Sequence, residues 1–256
     1  MNRAEEQERR RHVWLETKNH YSQQPLKDSI RYDSFDAVAY ADLSRPYGNT
    51  IVDFVQADCI EVALREAKPG IKPLLLNMAS EFKPGGGVEN GVHTQEEELF
   101  RRSNYHKFLH RRHYPTPPIH ASYSSGVEFY RGGAAVDYAL YTVPQRLDCI
   151  AVAGLRKPLL TDDQRRIRQR TDIEILETKL RLLFYVAAKQ GNDVLILSAL
   201  GCGAFACPPV HVAMLFKKVV AENTGRFRKI VFAILGSNYE PFKAAYEKFQ
   251  PQPPKN

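Results

Sequence analysis

The pattern of apolar and polar positions predicts an α/β fold from residue 50 onward. Short runs rich in leucine and β-branched residues alternate with stretches of helical periodicity. Because the runs are mostly apolar, they are typical of strands buried on both faces of a largely parallel or mixed sheet, with helices on either side. The predicted strands are TIVDFV (50–55), PLLLNMA (73–79), LDCIAVA (147–153), DVLILSA (193–199) and KIVFAIL (229–235). The predicted helices between them are 61–67, 95–108, 172–189, 209–223 and 240–249.

The N-terminal part of the chain has a different pattern. Residues 4–20 form a charged stretch with helical character, in which Trp14 is expected to anchor the helix in the core. Residues 23–45 show no clear periodicity. Further along, residues 126–143 predict a β-hairpin whose turn contains the glycines at 132–133.

Length and composition predict one large domain. With 256 residues, 43% hydrophobic and 25% charged, the chain can bury a full core. We expect residues 1–45 to be a helical extension packed on a domain of residues 46–249, and the tail 250–256 (QPQPPKN) to be disordered. The charged start and the lack of an apolar run of roughly 20 residues predict neither a signal peptide nor a membrane span. We therefore expect an intracellular, cytoplasmic monomer, or a nuclear one in a eukaryote.

The net charge of +7 and the pI near 9.2 favour an anionic partner: a nucleotide, a nucleic acid or a phosphorylated ligand. Basic residues concentrate at 9–11, 101–113 and 165–170, where each group is either a binding surface or a solvated face. Because these groups lack aromatic residues at the spacing of a known module, nucleic acid is an unlikely partner. The four cysteines form neither CxxC pairs nor a Cys/His cluster, so we expect buried, reduced thiols and no metal.

Two glycine-rich segments follow predicted strands, at the strand ends where open α/β sheets bind ligands. KPGGG (83–87) follows the second predicted strand. LGCGAF (200–205) follows the fourth and stands shortly before a helix start. Bare backbone beside a helix N-terminus offers N–H groups and partial positive charge to a phosphate. Taken alone, each segment is equally compatible with a structural turn.

The carboxylates of TQEE, at residues 94–97, have a structural and a chemical interpretation. In a capping box, Thr94 would accept from the Glu97 N–H while the Glu97 side chain reaches back. In a catalytic site, Glu96 and Glu97 would point about 100° apart on the helix and could not face each other as an ordinary glycosidase pair does. They would need different tasks, one protonating a leaving oxygen and the other holding sugar hydroxyls.

These motifs resemble a known family. LNMASEFKPGGGVENGVHTQEE (76–97) resembles the signature of poly(ADP-ribose) glycohydrolases, a triple glycine followed after several residues by Gln-Glu-Glu. SALGCGAFACPPVHVAMLFKK (198–218) resembles the second phosphate-binding loop and helix of the microbial type, and KIVFAIL resembles its last strand. The resemblance covers about residues 50–249. It implies a three-layer α/β/α macrodomain with a central mixed, largely parallel sheet that binds ADP-ribose.

The resemblance also implies roles for individual residues. Glu97 would be the catalytic general acid and base, and Glu96 would hold the ribose through its hydroxyls. Phe205 would pack against the distal ribose, and Asp58 would lie near the adenine, although a helix N-cap is an equal alternative for Asp58. The full set implied in substrate binding is Asp58, Asn77, Gly85, Gly86, Gly87, Gln95, Gly201, Cys202, Gly203, Ala204 and Phe205.

Two positions depart from the microbial pattern. Met78 stands where an aromatic residue usually follows the strand asparagine, and residues 88–90 (Val-Glu-Asn) are more polar than is common after the glycines. Neither departure removes a catalytic group. Both departures are expected to affect which leaving group the site accepts.

A histidine-rich segment follows the predicted catalytic helix. His106, His110 and His113 recur at helical spacing beside Arg111 and Arg112, which favours an exposed basic face over metal ligation. If that face lies near the cleft, the two arginines would hold further phosphates of a polymer.

The leading hypothesis is hydrolysis of ribose–ribose O-glycosidic bonds in poly(ADP-ribose), which would release ADP-ribose without a cofactor. One alternative is removal of mono-ADP-ribose from an arginine or glutamate side chain of a protein. Another is a non-catalytic ADP-ribose-binding domain, which would need both glycine loops but not both acids.

Overall fold

The structure is a computed structural model that describes residues 2–251. Most of the tail predicted to be disordered, residues 252–256, lies outside the described residues. The strands are β1 (Ile30–Tyr32), β2 (Ile51–Val55), β3 (Pro73–Met78), β4 (Ala121–Arg131), β5 (Leu140–Val152), β6 (Val194–Leu197) and β7 (Lys229–Ala233). The helices are α1 (Arg3–His20), α2 (Ala37–Ala41), α3 (Cys59–Glu66), α4 (Gln95–Arg102), α5 (Arg170–Lys189), α6 (Pro209–Glu222) and α7 (Tyr239–Lys248).

The seven strands form one mixed sheet in the order β1-β4-β5-β3-β6-β7-β2. The five strands from β5 to β2 are parallel, and β4 and β1 pair antiparallel at one edge. The central strand β3 pairs Leu75 with Cys149 of β5 on one side and with Ile196 of β6 on the other. The carboxyl ends of β3 and β6 are therefore neighbours, and the two glycine-rich segments begin side by side.

Helices cover both faces of this sheet, which confirms the α/β/α layering. Leu74 and Leu76 of β3 belong to the core formed with α5, α6 and α7. Leu75, which points to the opposite face, belongs to a second core formed with α1, α3 and α4. The continuous apolar run of β3 is thus explained by burial on both sides.

The five predicted strands are present, and residues 126–143 lie within the β4–β5 hairpin with residues 132–133 in its turn. The segment 23–45, which shows no periodicity, contains the three-residue β1 and the five-residue α2. Elements this short do not repeat often enough to give a pattern. The boundaries 1–45 and 46–249 stay a prediction.

The prediction of a helix over residues 95–108 is wrong at its C-terminal end. The helix α4 ends at Arg102, and Ser103 is extended and bridges to Phe129 of β4. Asn104 then exchanges backbone and side-chain hydrogen bonds with Glu128, at 3.0 Å and 2.9 Å. The chain leaves the helix because it is held against the antiparallel edge of the sheet.

The helix α1 packs against α4 and the loop that precedes it. Trp14 is buried, as expected, with its ring centroid 6.0 Å from that of Phe100 on α4. At its N-terminal half, Gln7 Nε2 donates to the Asn90 carbonyl at 2.7 Å and Arg10 Nε donates to the Gly91 carbonyl at 2.8 Å. These contacts fix the segment between the triple glycine and α4.

The four cysteines are buried and free, as expected. Among residues 2–251, no helix is both long enough and apolar enough to cross a membrane.

Candidate active site

The first turn of α4 is fixed to the end of β3 by the side-chain amide of Gln95. Its Oε1 accepts from the Met78 N–H at 2.9 Å, and its Nε2 donates to the Leu76 carbonyl at 2.6 Å. This amide continues the hydrogen-bonding pattern of the strand. The resemblance implies that Gln95 helps to hold the ribose, whereas both ends of its amide contact protein backbone.

Glu96 is buried beneath the first glycine loop. Its Oε2 accepts from the Ser80 N–H at 2.8 Å, and its Oε1 accepts from the Gly85 N–H at 3.1 Å. Burial, together with the charge of the neighbouring Glu97, raises the pKa of Glu96 to about 8. Glu96 therefore carries a proton at neutral pH.

Glu97 is directed to the same loop from the next helical position. Its Oε1 accepts from the Gly87 N–H at 2.8 Å, and its Oε2 accepts from the Thr94 hydroxyl. The capping-box prediction is therefore wrong, because Thr94 makes no side-chain cap to the helix backbone and Glu97 bonds to Gly87 instead. The carboxylate is held at the cavity rather than used to start the helix.

Each of the three consecutive glycines makes room for a different neighbouring side chain. A Cβ on Gly85 would lie 2.5 Å from the ring of Phe100, and one on Gly87 would lie 2.5 Å from Cγ2 of Val92. A Cβ on Gly86 would lie 2.5 Å from Oε1 of Glu97. Gly85 and Gly86 also have φ values of +73° and +50°, which favour glycine. The loop is bare because α4 and its carboxylates press directly against it.

The second glycine loop faces the first across the cavity. Gly201 has φ +76° and lies against the loop after β5, where a Cβ on Gly154 would be 2.8 Å from the Gly201 Cα. Gly203, Ala204 and Phe205 line the cavity together with Gly201. The two loops are therefore brought together as expected from the adjacency of β3 and β6.

The space between the loops is a cavity of about 430 Å³, here called the inner cavity. Both carboxylates, Glu96 and Glu97, line it, and so do the cationic residues Lys83, Arg111 and Arg156. Acidic groups at the floor and cationic groups at the margin suit a ligand with a sugar at one point and phosphates near by.

A second cavity of about 890 Å³, here called the outer cavity, adjoins the first and shares Met78, Thr94, Gln95 and Gly203 with it. Most of the rest of its lining comes from the start of α3, the β4–β5 turn, the segments after β6 and β7, and Glu98 of α4. It is mainly apolar, with Ile60, Val136, Ile234 and Leu235 among its residues. The two cavities together form one elongated site along the carboxyl ends of the strands.

Asp58 borders the outer cavity and also caps α3. Its Oδ1 accepts from the N–H groups of Ile60 and Glu61 at 2.7 Å and 3.2 Å, which is the N-cap alternative considered for it. Its Oδ2 forms an ion pair at 2.9 Å with Arg102, whose side chain is fully buried. Arg102 also pairs with Glu61, so α3 and α4 are joined by one charge network.

Most of the residues that the resemblance implies in the site line the two cavities. Those at the inner cavity are Gly86, Gly87, Gln95, Glu96, Glu97, Gly201, Gly203, Ala204 and Phe205, and Asp58 lies at the outer one. Asn77, Gly85 and Cys202 line neither cavity. Asn77 is fully buried, with Nδ2 3.5 Å from Oε1 of Glu96, so it supports Glu96 from below.

Sequence reasoning missed part of the lining. Phe82 and Lys83 precede the glycines, Arg156 follows β5 with Gly154, and Asn238 follows β7. Gly154, Arg156 and Asn238 could have been predicted, because they also stand after the carboxyl ends of predicted strands. For Phe82, no periodicity or motif distinguished it from an ordinary loop residue.

The expected basic face is present only in part: Arg111 and Arg112 are exposed, but the segment is not a continuous helix and His106 is turned inward. Residues 105–107 and 111–113 are short 3₁₀ turns, and His106 packs edge-on against Trp14 at 5.3 Å. Burial lowers the pKa of His106 to about 4. Arg111 lines the inner cavity, whereas Arg112 pairs with Asp28 at 3.3 Å. The described part of the chain contains no cluster of three or more His, Cys, Asp or Glu residues that could hold a metal.

Comparison with known proteins identifies the fold and a family signature. A family model described as "Microbial-type PARG, catalytic domain" matches residues 7–132, which include the first glycine loop and both carboxylates. PARG denotes poly(ADP-ribose) glycohydrolase. Residues 7–132 therefore carry the sequence signature of the microbial-type PARG catalytic domain.

The solved structures of two bacterial PARG proteins share the fold. The poly(ADP-ribose) glycohydrolase from Thermomonospora curvata is 24% identical and has a TM-score of 0.78, covering 93% of this chain and 98% of that one. The same protein bound to the inhibitor ADP-HPD is 25% identical, covers the same shares and has a TM-score of 0.69. The PARG from Deinococcus radiodurans in complex with ADP-ribose is 22% identical with a TM-score of 0.71, covering 92% of this chain and 95% of that one. No curated protein matches the sequence.

The family match and the structural likeness support different parts of the site. The PARG family model ends at residue 132, before the second glycine loop. That loop is linked to the PARG proteins by the shared fold, which extends over nearly the whole chain. The packing of Gly154 against Gly201 is an observation on this chain alone.

Proposed function

We propose that this protein hydrolyses the ribose–ribose O-glycosidic bonds of poly(ADP-ribose) and releases ADP-ribose, with Glu97 as general acid and base. The observation that carries the proposal is the position of Glu97. It is held by the Gly87 N–H at the inner cavity, where the two glycine loops face each other. A reader of ADP-ribose would need the loops but not a carboxylate at this point.

The shape of the site supports one orientation of an ADP-ribosyl unit. The adenosine occupies the apolar outer cavity near Asp58 and Ile60, and the diphosphate crosses at Gly203, which both cavities share. The distal ribose then lies in the inner cavity between Phe205 and the carboxylates. Backbone N–H groups of the glycine loops stabilise the diphosphate in this orientation.

The reaction then needs Glu97 to donate one proton and to recover another from water. The proton that the Glu96–Glu97 pair holds passes to Glu97, which gives it to the glycosidic oxygen while the bond from that oxygen to the anomeric carbon breaks. A water molecule adds to the oxocarbenium-like carbon and returns a proton to the Glu97 carboxylate. The products are ADP-ribose and the shortened polymer, and the carboxyl group is restored.

Glu96 supports this cycle by holding the ribose and by keeping the pair singly charged. Because burial raises the pKa of Glu96 to about 8, the pair holds a proton at neutral pH. A protonated Glu96 is also able to donate to a ribose hydroxyl. Two adjacent ionised carboxylates would repel each other and the diphosphate.

The test is turnover of labelled poly(ADP-ribose) by Glu97→Gln. Acid–base catalysis typically contributes about 100- to 10,000-fold, so we expect a loss of turnover in that range with ADP-ribose still bound. Glu89→Gln, an exposed glutamate in the same segment, is the matched control and should keep full activity. Wild-type turnover by Glu97→Gln would overturn the mechanism.

A panel with mono-ADP-ribosylated arginine and glutamate peptides tests the alternative substrates, because the inner and outer cavities hold the ADP-ribosyl unit common to all of them. The proposal requires the polymer to have the highest kcat/KM in the panel.

We also propose that one chain is sufficient for activity, since both loops and both carboxylates come from the same chain. Light scattering of the active protein should give the mass of a monomer. The expected cytoplasmic location stays a prediction.

A further inference from the structure

The margin of the inner cavity carries an aromatic side chain that the reaction does not use. Phe82 lines this cavity, yet 49% of its surface is exposed. The guanidinium of Arg156 lies over its ring, 5.1 Å from the centroid. Since Arg156 covers one face, the exposed surface of the ring is available for a planar group.

Three cationic side chains that line the same cavity as Phe82 have no carboxylate partner among residues 2–251. They are Lys83, Arg111 and Arg156. Arg111 and Arg156 are exposed, whereas Glu96 and Glu97 are buried at the floor. The cations therefore stand between the carboxylates and solvent, where an anionic group beyond the cleaved bond would lie.

The order of the subsites identifies that group. Phe82, Lys83, Arg111 and Arg156 belong to the inner cavity and not to the outer one. In the proposed orientation, the adenosine of the bound unit fills the outer cavity and its distal ribose lies at Glu97. Whatever is attached beyond the cleaved bond must leave past the margin of the inner cavity.

We propose that Phe82 and Arg156, with Arg111 and Lys83, form a leaving-group subsite for the next nucleotide unit of the polymer. The adenine of that unit stacks on the exposed surface of Phe82, and its diphosphate lies among the three cations. This inference rests on the proposed function and names the leaving group of the same site. An amino-acid side chain as leaving group carries neither a base nor phosphates and gains nothing from this surface.

The physical chemistry of the subsite is that of single-stranded nucleic acid recognition. A base stacked on an aromatic ring and a backbone phosphate near arginine are both sequence-tolerant contacts that suit a uniform polymer. Because the contacts lie in the leaving group, their loss should raise KM for the polymer without changing the affinity for free ADP-ribose.

The experiment compares Phe82→Ala and Arg156→Ala with the wild type on three measurements. These are kcat and KM on poly(ADP-ribose), kcat/KM on a mono-ADP-ribosylated peptide, and the Kd of ADP-ribose. We expect KM for the polymer to rise about 5- to 100-fold in Phe82→Ala, the range for loss of one base–aromatic stack. The ADP-ribose Kd and the activity on the peptide should stay within about twofold.

The matched control is Arg165→Ala, which removes an exposed arginine that lines neither cavity and should leave all three measurements unchanged. An unchanged polymer KM in both site variants would overturn the inference while leaving the hydrolase function intact. An equal loss of affinity for free ADP-ribose would also overturn the inference, because Phe82 would then contact the ADP-ribosyl unit that is released and not the leaving group. If the wild type does not cleave polymer at all, the proposed function itself fails, and the leaving-group subsite with it.

Discussion

Glu97 Oε1 accepts a hydrogen bond from the Gly87 N–H at 2.8 Å, and a Cβ on the adjacent Gly86 would lie 2.5 Å from the same oxygen. The carboxylate therefore rests directly on the backbone of the glycine loop. This contact explains why the loop has no side chains at the point closest to α4. It also makes the position of the carboxylate sensitive to small changes in the loop.

Gly86→Ala should abolish most of the activity, because the new methyl group would displace Glu97. The left-handed φ of +50° adds backbone strain, so we expect a loss of about 1–2 kcal/mol in unfolding free energy as well. Gly70→Ala is the matched control, since Gly70 has φ +78° with nothing within 4 Å of an added Cβ. Polymer hydrolysis and urea unfolding separate the two effects: the control should lose stability only. Full activity in Gly86→Ala would show that Glu97 does not depend on this contact.

Glu96 should make the protein less stable as the pH rises. Burial raises its pKa from 4.5 to about 8, so the folded state keeps a proton that the unfolded state releases above pH 4.5. The stabilisation is complete below pH 4.5 and is lost progressively as the pH rises through 8. Since one pKa unit corresponds to about 1.4 kcal/mol, the total amounts to a few kcal/mol at most.

Glu96→Gln should flatten this dependence. Urea unfolding at a series of pH values from 4.5 to 8.5 measures it, with Glu89→Gln as the exposed control. The same pH slope in Glu96→Gln and in the wild type would contradict the assignment of the proton to Glu96.

Gln95→Glu should reduce catalysis through positioning rather than through contact with the substrate. The glutamate would still accept from the Met78 N–H, but it could not donate to the Leu76 carbonyl. We expect a stability loss of about 1–3 kcal/mol and a fall in kcat, because the first turn of α4 would move from the end of β3. Gln145→Glu, an exposed glutamine, serves as the control. Unchanged kcat in Gln95→Glu would show that the amide does not fix the carboxylates.

Asp58→Ala should destabilise the protein more than Asp58→Asn. Alanine removes the N-cap of α3, which is worth about 1 kcal/mol, and leaves the buried Arg102 with Glu61 as its only carboxylate partner. Asparagine keeps the cap and removes only the charge. We expect a total loss of about 2–4 kcal/mol for alanine and a smaller one for asparagine, measured by urea unfolding. Equal losses in the two variants would mean that the cap contributes nothing.

The sequence alone predicted the main elements and the place of the site. Strands such as LDCIAVA and KIVFAIL are apolar at all but one position because both faces are buried, so their pattern is strong and local. The triple glycine and LGCGAF follow such strands, and the carboxyl ends of neighbouring parallel strands must meet at one edge. The sequence therefore predicted that the two glycine loops lie side by side.

Tertiary structure decided what each side chain does there. The TQEE segment matches the sequence of a capping box, yet Glu97 accepts a hydrogen bond from Gly87, ten residues earlier. Asn77, from the end of β3, lies beneath Glu96. Phe82 and Arg156 are distant in sequence and meet only because β3 and β5 are adjacent. Sequence patterns report the periodic burial of one element at a time, whereas hydrogen-bond partners, burial of charge and the margin of a cavity arise from segments that pack together from different parts of the chain.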